Sequence, residues 1–214
     1  LRSDLNVPFE NGEIQDDFRI EQSVPTIQYL AAKGAKCIIL AHFGRPTLQE
    51  MQQCSLFPIA KRLEQLVGKP IRFIDDPIGK QVQSKIEEVR PGEIVLLENI
   101  RFYEGEEEND LEFSKKLAEL GDLYVNDAFG TCHRAHASIV GIPRYLPSAA
   151  GLLLEKEVDV LEKISTHPAR PLVVVVGGTK VGDKASFLKA ISKHADAILL
   201  GNLISKEVKE KGIG

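Results

Sequence analysis

Short apolar runs alternate with longer segments of helical spacing through the first two thirds of the chain. Strands are predicted over 36–41, 71–74, 94–97 and 122–125, where apolar residues cluster without a 3.6-residue period. Between them the apolar positions recur at helical spacing. A first helix is predicted from near Pro25, with Ser23 or Val24 at its cap, to Gly34, since proline suits a first helical turn. A second is predicted over 56–66, capped by Ser55 and closed by Gly68, a residue type that favours helix ends. Others are predicted over 78–89 and 110–120, and Pro91-Gly92 turns the chain into the strand at 94. The run Glu104–Asp110 reads as an acidic, solvated loop. Strand and helix in alternation argue for an α/β fold, a Rossmann-like three-layer parallel sheet with helices on both faces.

The pattern changes after residue 136. Residues 137–151 are rich in Gly, Pro, Ser and Ala and read as irregular chain. Leu153, Leu154, Val158 and Leu161 then mark a helix over 152–165, broken by Pro168 and Pro171. Leu172–Val176 is wholly apolar, as expected of a strand buried on both faces. Gly177-Gly178, a helix from about Asp183, a strand at 196–200 and a short helix at 205–211 complete the chain. These changes divide it into a first lobe over 1–150, a connecting helix and hinge over 151–168, and the first units of a second α/β lobe over 169–214. About two βα units are too few for a core of their own.

Composition narrows the function classes. Hydrophobic residues make up 43% of the 214, and the net charge is −4, which gives no electrostatic footprint for nucleic acid or an anionic membrane. Three cysteines without a CxxC spacing fit a reduced, cytoplasmic protein, with Cys37 in the core. No apolar stretch approaches the roughly 18 residues of a membrane span. The chain opens on Leu1 with no initiator methionine or signal peptide, and it is expected to have lost its beginning.

Against this acidic background, basic residues gather after the apolar runs. His42-Phe43-Gly44-Arg45 follows the first, Arg101 the third, and His133-Arg134-Ala135-His136 the fourth, while Arg2 stands beside Asp4 and Asn6 in the opening run. Parallel strands deliver their carboxyl ends to one edge, where α/β folds bind ligands. Arginine forks match pairs of phosphate or carboxylate oxygens, and histidine adds a donor whose charge could respond to the ligand. Converging cations would repel one another until a polyanion bound. A lone arginine after a strand is ordinarily a surface charge, and Asp16 and Asp17 read as helix or turn caps. His133 and His136 have no carboxylate–histidine partners that would suggest a metal site.

A second candidate is Gly177-Gly178-Thr179-Lys180-Val181-Gly182-Asp183-Lys184, between a strand and a helix. Glycines admit a phosphate to backbone N–H groups at a helix N-terminus, and the alternative is a tight turn with surface lysines. It is not a Walker A loop, because Asp183 stands where that motif has lysine, which disfavours a P-loop hydrolase.

Several ordered motifs resemble phosphoglycerate kinase. They are Arg2-Ser3-Asp4-Leu5-Asn6-Val7-Pro8, Asp16-Asp17-Phe18-Arg19-Ile20, Pro25-Thr26-Ile27, His42-Phe43-Gly44-Arg45-Pro46, Leu97-Glu98-Asn99-Ile100-Arg101-Phe102, Asn126-Asp127-Ala128-Phe129-Gly130-Thr131 with His133-Arg134-Ala135-His136, and the Gly177–Lys184 segment. The resemblance implies two Rossmann-like lobes joined by a helix and hinge. The first would bind 3-phosphoglycerate or 1,3-bisphosphoglycerate, the second Mg2+ with ADP or ATP, and closure would bring them together. It implies that Asp4, Asn6, Arg19, His42, Arg45, Arg101, His133 and Arg134 hold the phosphoglycerate, with Arg2 and His136 in or beside the basic patch. Gly178, Thr179, Lys180 and Lys184 would meet the nucleotide phosphates, and Arg19 and Lys180 would stabilise the moving phosphoryl group.

The resemblance thins after the strand at 196–200, where Gly201-Asn202-Leu203-Ile204-Ser205-Lys206 is poorer in glycine than the family pattern. The segments that contact adenine, ribose and Mg2+ are expected outside this chain, so the 214 residues alone are expected to be nearly inert. A monomer is expected. The alternative is a non-catalytic anion-binding or scaffold protein that retains the fold.

Overall fold

The structure, a computed structural model, describes residues 1–47, 49, 51–178, 185–201 and 204–206. The chain forms two compact units, 1–157 and 158–214.

The first unit comprises β1 (Arg2–Ser3), the hairpin β2 (Phe9–Glu10) and β3 (Glu13–Ile14), α1 (Phe18–Ala32), β4 (Cys37–Ile39), α2 (Phe57–Val67), β5 (Ile71–Ile74), α3 (Lys80–Glu87), β6 (Ile94–Leu97), α4 (Glu104–Glu107), α5 (Leu111–Ala118), β7 (Tyr124–Asp127) and β8 (Ser148–Ala150). β7 pairs in parallel with β1 and β8, and β6 with β4 and β5. A parallel bridge from Arg2 to Leu40 joins the two sets, giving the order β8-β7-β1-β4-β6-β5. Leu40 N donates to Leu1 O at 2.8 Å and Ser3 N to Leu40 O at 3.0 Å across that junction.

β6 shows why the sheet must sit in the middle. All four of its residues are buried, Ile94 and Leu96 against α1 and α2, Val95 and Leu97 against α3 and α5. An apolar strand with no polar face can be satisfied only by cover on both sides, which is the parallel three-layer arrangement. The fold of this unit is therefore the α/β sandwich expected from the alternation.

Several boundaries differ. α1 begins at Phe18, not near Pro25, and the proline lies inside the helix. Its ring costs one backbone hydrogen bond, but Pro25 is exposed while Ile20, Ile27 and Ala31 on the opposite face enter the core, and that burial outweighs the loss. β7 is shifted two residues along, to 124–127, because its polar end pairs Asn126 with Arg2 and Asp127 with Ser3. The segment read as irregular holds a π-helical turn at Ala137–Gly141 and the edge strand β8. The acidic loop is a correction as well. Residues Glu104–Glu107 form α4, and Glu106 is fully buried.

α6 (Leu152–Thr166) opens with Asp127 Oδ1 accepting from Leu153 N at 2.9 Å and Leu154 N at 3.2 Å, while Thr26 Oγ1 accepts from Leu152 N at 3.0 Å. Three of the unpaired amides of its first turn are thus met. Gly151 is required here, since a Cβ would lie 2.2 Å from Asp127 Oδ1.

In the second unit, β9 (Val173–Val176) pairs in parallel with β10 (Ala197–Leu200), and α7 (Ala185–Ile191) lies between them in sequence. β9 is not buried on both faces. Val176 packs with Leu188 and Ile204, whereas Val175 is 74% exposed, because successive side chains point to opposite sides and the described residues cover only one. The predicted start of the helix at Asp183 and most of the helix at 205–211 lie outside the described residues. Among the described residues no helix is long and apolar enough to cross a membrane.

Candidate active site

β1, β4, β6 and β7 run parallel, so the segments that leave their carboxyl ends emerge at one edge. His42 is 4% exposed there, and Arg2 Nη2 lies 2.9 Å from its Nδ1. Burial, reinforced by Arg2, Arg101, Arg134 and His136, pushes the His42 imidazole down to about 2. Three arginines and a histidine from three segments therefore act on one ring. These influences favour the neutral ring.

Arg101 is drawn in by a different route. Its side chain is 5% exposed, with Nη1 donating to Gly44 O at 2.8 Å. Its Nε lies 3.2 Å from Glu107 Oε1, yet outside hydrogen-bond geometry, and finds no acceptor among the described residues. Arg101 is thus paired in charge with Glu107 but keeps one buried N–H that an anionic oxygen can take.

The other edge of the cluster is acidic and amide. Asp4 Oδ2 pairs with Arg19 Nη1 at 3.1 Å, and Asp4 also bears electrostatically on Arg2. Asn6 Oδ1 accepts from Gly44 N at 2.9 Å, tying the segment after β1 to that after β4. Gly130 approaches so closely that a Cβ would sit 2.8 Å from Asp4 Oδ2. Asp4, Asn6, Arg19, His42, Arg101 and Arg134 are thereby linked at one edge. Arg45 and His133 stand exposed on the segments after β4 and β7.

In the second unit, Gly178 follows β9 with φ +125°, a backbone conformation open to glycine and strained for other residues. Thr179, Lys180 and Lys184 lie outside the described residues. No group of three or more His, Cys, Asp or Glu that could hold a metal ion occurs among the described residues.

With this geometry in view, the sequence model of one family, phosphoglycerate kinase, matches residues 1–211. The chain belongs to the phosphoglycerate kinase family. The match runs past Gly201, where the motifs thin. The phosphoglycerate kinase of Dictyoglomus turgidum is 50% identical over 201 residues, covering 94% of this chain and 50% of that protein. That of Trichodesmium erythraeum is 47% identical over 215 positions, covering 100% of this chain and 54% of that protein. The crystal structure of phosphoglycerate kinase from Pyrococcus horikoshii OT3 superposes with a TM-score of 0.86 at 33% identity, covering 99% of this chain and 58% of that one. The chain spans about half the length of the curated relatives it matches.

Much of what holds this edge together lies in residues to which the motifs alone give no role. Asn99, fully buried, accepts from Phe43 N at 3.3 Å and Arg101 N at 3.1 Å, and donates to Phe43 O at 2.7 Å and Cys54 O at 2.9 Å. It clamps the His42 segment to the Arg101 segment. Glu98 accepts from Ser55 Oγ at 2.7 Å, Leu56 N at 2.8 Å and Asn99 N at 2.7 Å, fixing the entry to α2. Two polar residues closing an apolar strand were the available signal. Glu106, one carboxylate in an acidic run, gave none.

Proposed function

We propose that the protein acts as a phosphoglycerate kinase, in which residues 1–157 grip 3-phosphoglycerate or 1,3-bisphosphoglycerate. The reaction is reversible phosphoryl transfer between 1,3-bisphosphoglycerate with ADP and 3-phosphoglycerate with ATP. The observation that carries this reading is His42 at the strand ends beside Arg2, Arg101, Arg134 and His136, a cluster of donors and positive charge suited to an anion. Asp4, Asn6, Arg19, His42, Arg45, Arg101, His133 and Arg134 are assigned to the phosphoglycerate. Gly178, Thr179, Lys180 and Lys184 are assigned to the nucleotide phosphates, with Mg2+ arriving on the nucleotide and supplying charge neutralisation.

The chemistry asks little of the protein beyond placement and charge. The substrate carboxylate is ionised at neutral pH and needs no general base. Arg19 and Lys180 are assigned to the transferring phosphoryl group, where a positioned cation contributes on the order of 10³–10⁵ in rate. Exclusion of water protects the acyl phosphate from hydrolysis. Turnover is expected of the relatives' full length, and binding is what the reading asks of these residues. A monomeric cytoplasmic enzyme without nucleic-acid or membrane partners completes it.

Calorimetric titration of the chain with 3-phosphoglycerate at low salt tests the proposal. Saturable binding that weakens as salt rises supports it. A folded sample that takes up no heat at millimolar ligand, on the order of 1 mM or above, counts against it.

A further inference from the structure

Glu106 is the single buried carboxylate of the 104–110 run; both of its oxygens accept from Ser138, and Oε1 also lies 3.8 Å from His136 Nδ1. Oε2 accepts from Ser138 N at 2.9 Å and Oε1 from Ser138 Oγ at 2.6 Å. A hydroxyl has one proton, so Ser138 Oγ, having donated it to Glu106, can serve Arg2 only as an acceptor. It accepts from Arg2 Nε at 3.0 Å. The Arg2 guanidinium also donates from Nη1 to Ser3 O, and from Nη2 it meets His42 Nδ1 at 2.9 Å. A guanidinium has no acceptor. His42 Nδ1 must therefore accept, and the proton of the neutral ring lies on Nε2.

Arg2 is 1% exposed, a buried cation that needs a countercharge. After burial itself, Glu106 is the strongest influence on it, followed by Tyr124, Asp4 and Cys132. The titratable groups bearing on His42 are Arg2 from β1, Arg101 from the segment after β6, and Arg134 and His136 from the segment after β7. All four oppose a second proton on the ring. The π-helical turn that carries Ser138 is held by the same bonds and by Tyr124 Oη, which donates to Ser138 O.

We propose that Glu106 and Ser138 are positioning residues that act through Arg2 to fix His42 as the neutral Nε2–H tautomer, a fixed donor for the phosphorylated acid. The identity of the ligand rests on the function proposed above; the tautomer does not. A donor held this way needs no proton from solvent, so its role in gripping the anion does not vary with pH near neutrality.

The test is nitrogen NMR of the histidine-labelled chain, with His42→Asn used to assign the signal, and calorimetry with 3-phosphoglycerate on the same samples. In the unsubstituted chain, His42 should show a ring protonated on Nε2 and unchanged from about pH 8 to about pH 5, where an ordinary histidine titrates. In Ser138→Ala it should show tautomer exchange or titration, with affinity for 3-phosphoglycerate about tenfold weaker, the scale of a buried charged group left unpaired. Ser138→Thr, which keeps the hydroxyl, should restore both. Glu106→Gln, which keeps the volume but not the charge, should fall between. A ring protonated on Nδ1 in the unsubstituted chain overturns the proposal, and that reading needs no variant to fold. So does a Ser138→Ala protein whose tautomer and affinity are unchanged. Absence of binding in the unsubstituted chain, with His42 in the expected tautomer, refutes the phosphoglycerate reading and leaves the positioning role standing.

Discussion

His42 carries a cost of its own at the residue scale. Its folded value, about 2, lies far below the ordinary histidine value of 6.5. The folded protein therefore binds fewer protons than the unfolded chain between those limits, and stability falls as pH drops below about 6.5. One such group removes about 1.4 kcal/mol between pH ~7.5 and pH ~5.5. Chemical denaturation at the two pH values should show this loss, and His42→Asn should shrink the pH-dependent difference by about the same amount. An equal pH slope in both proteins would contradict the buried neutral ring.

Single residues also show where sequence reading stops. His42, Arg101 and Arg134 were visible because basic side chains after apolar runs are conspicuous in an acidic chain. Glu106 and Glu107 are neighbours of identical composition, yet one is buried against Ser138 and the other exposed beside Arg101. That difference comes from the turn of α4 against the segment 136–138, a contact between positions some thirty residues apart that no local pattern records.

At the scale of elements, strands were read well where burial alone decides them. Ile71–Ile74 and Ile94–Leu97 fall at the expected residues because each is bounded by turns and rich in buried apolar side chains. The error at α1 has the opposite cause. Pro25 suggests a boundary from the sequence, whereas its exposed position lets the helix continue past it. β8 was missed because Ser148, Ala149 and Ala150 are small and exposed, and pairing with β7, not burial, makes them a strand.

The start of α6 depends on a tertiary cap. Asp127, fully buried on β7, receives the amides of Leu153 and Leu154. Asp127→Ala should cost about 1–2 kcal/mol in denaturant unfolding, the range of lost helix caps. Asp127→Asn keeps the accepting oxygen and should cost less. Equal stability of the alanine variant and the parent would show that the cap contributes nothing.

For the molecule as a whole, the cation cluster links folding to ligand. Arginines brought together by the sheet repel one another in the folded state and not in the extended chain. An anion that binds the folded state alone stabilises it by mass action, about 2.7 kcal/mol at a hundredfold excess over Kd. Thermal unfolding should therefore move upward with 3-phosphoglycerate, and the shift should shrink as added salt screens the cluster. A shift of the same size with sodium chloride alone would mark general screening in place of a specific site.

The most direct test of the central claim is a titration of the labelled chain with 3-phosphoglycerate, followed by NMR at the arginine side chains. The Nε signals of Arg19, Arg101 and Arg134 and the amide of Gly44 should move together and saturate on one isotherm, while Arg72, paired with Glu88 on the surface, stays in place. Signals that do not move, or that move at Arg72 and not at the strand-end arginines, would contradict the account.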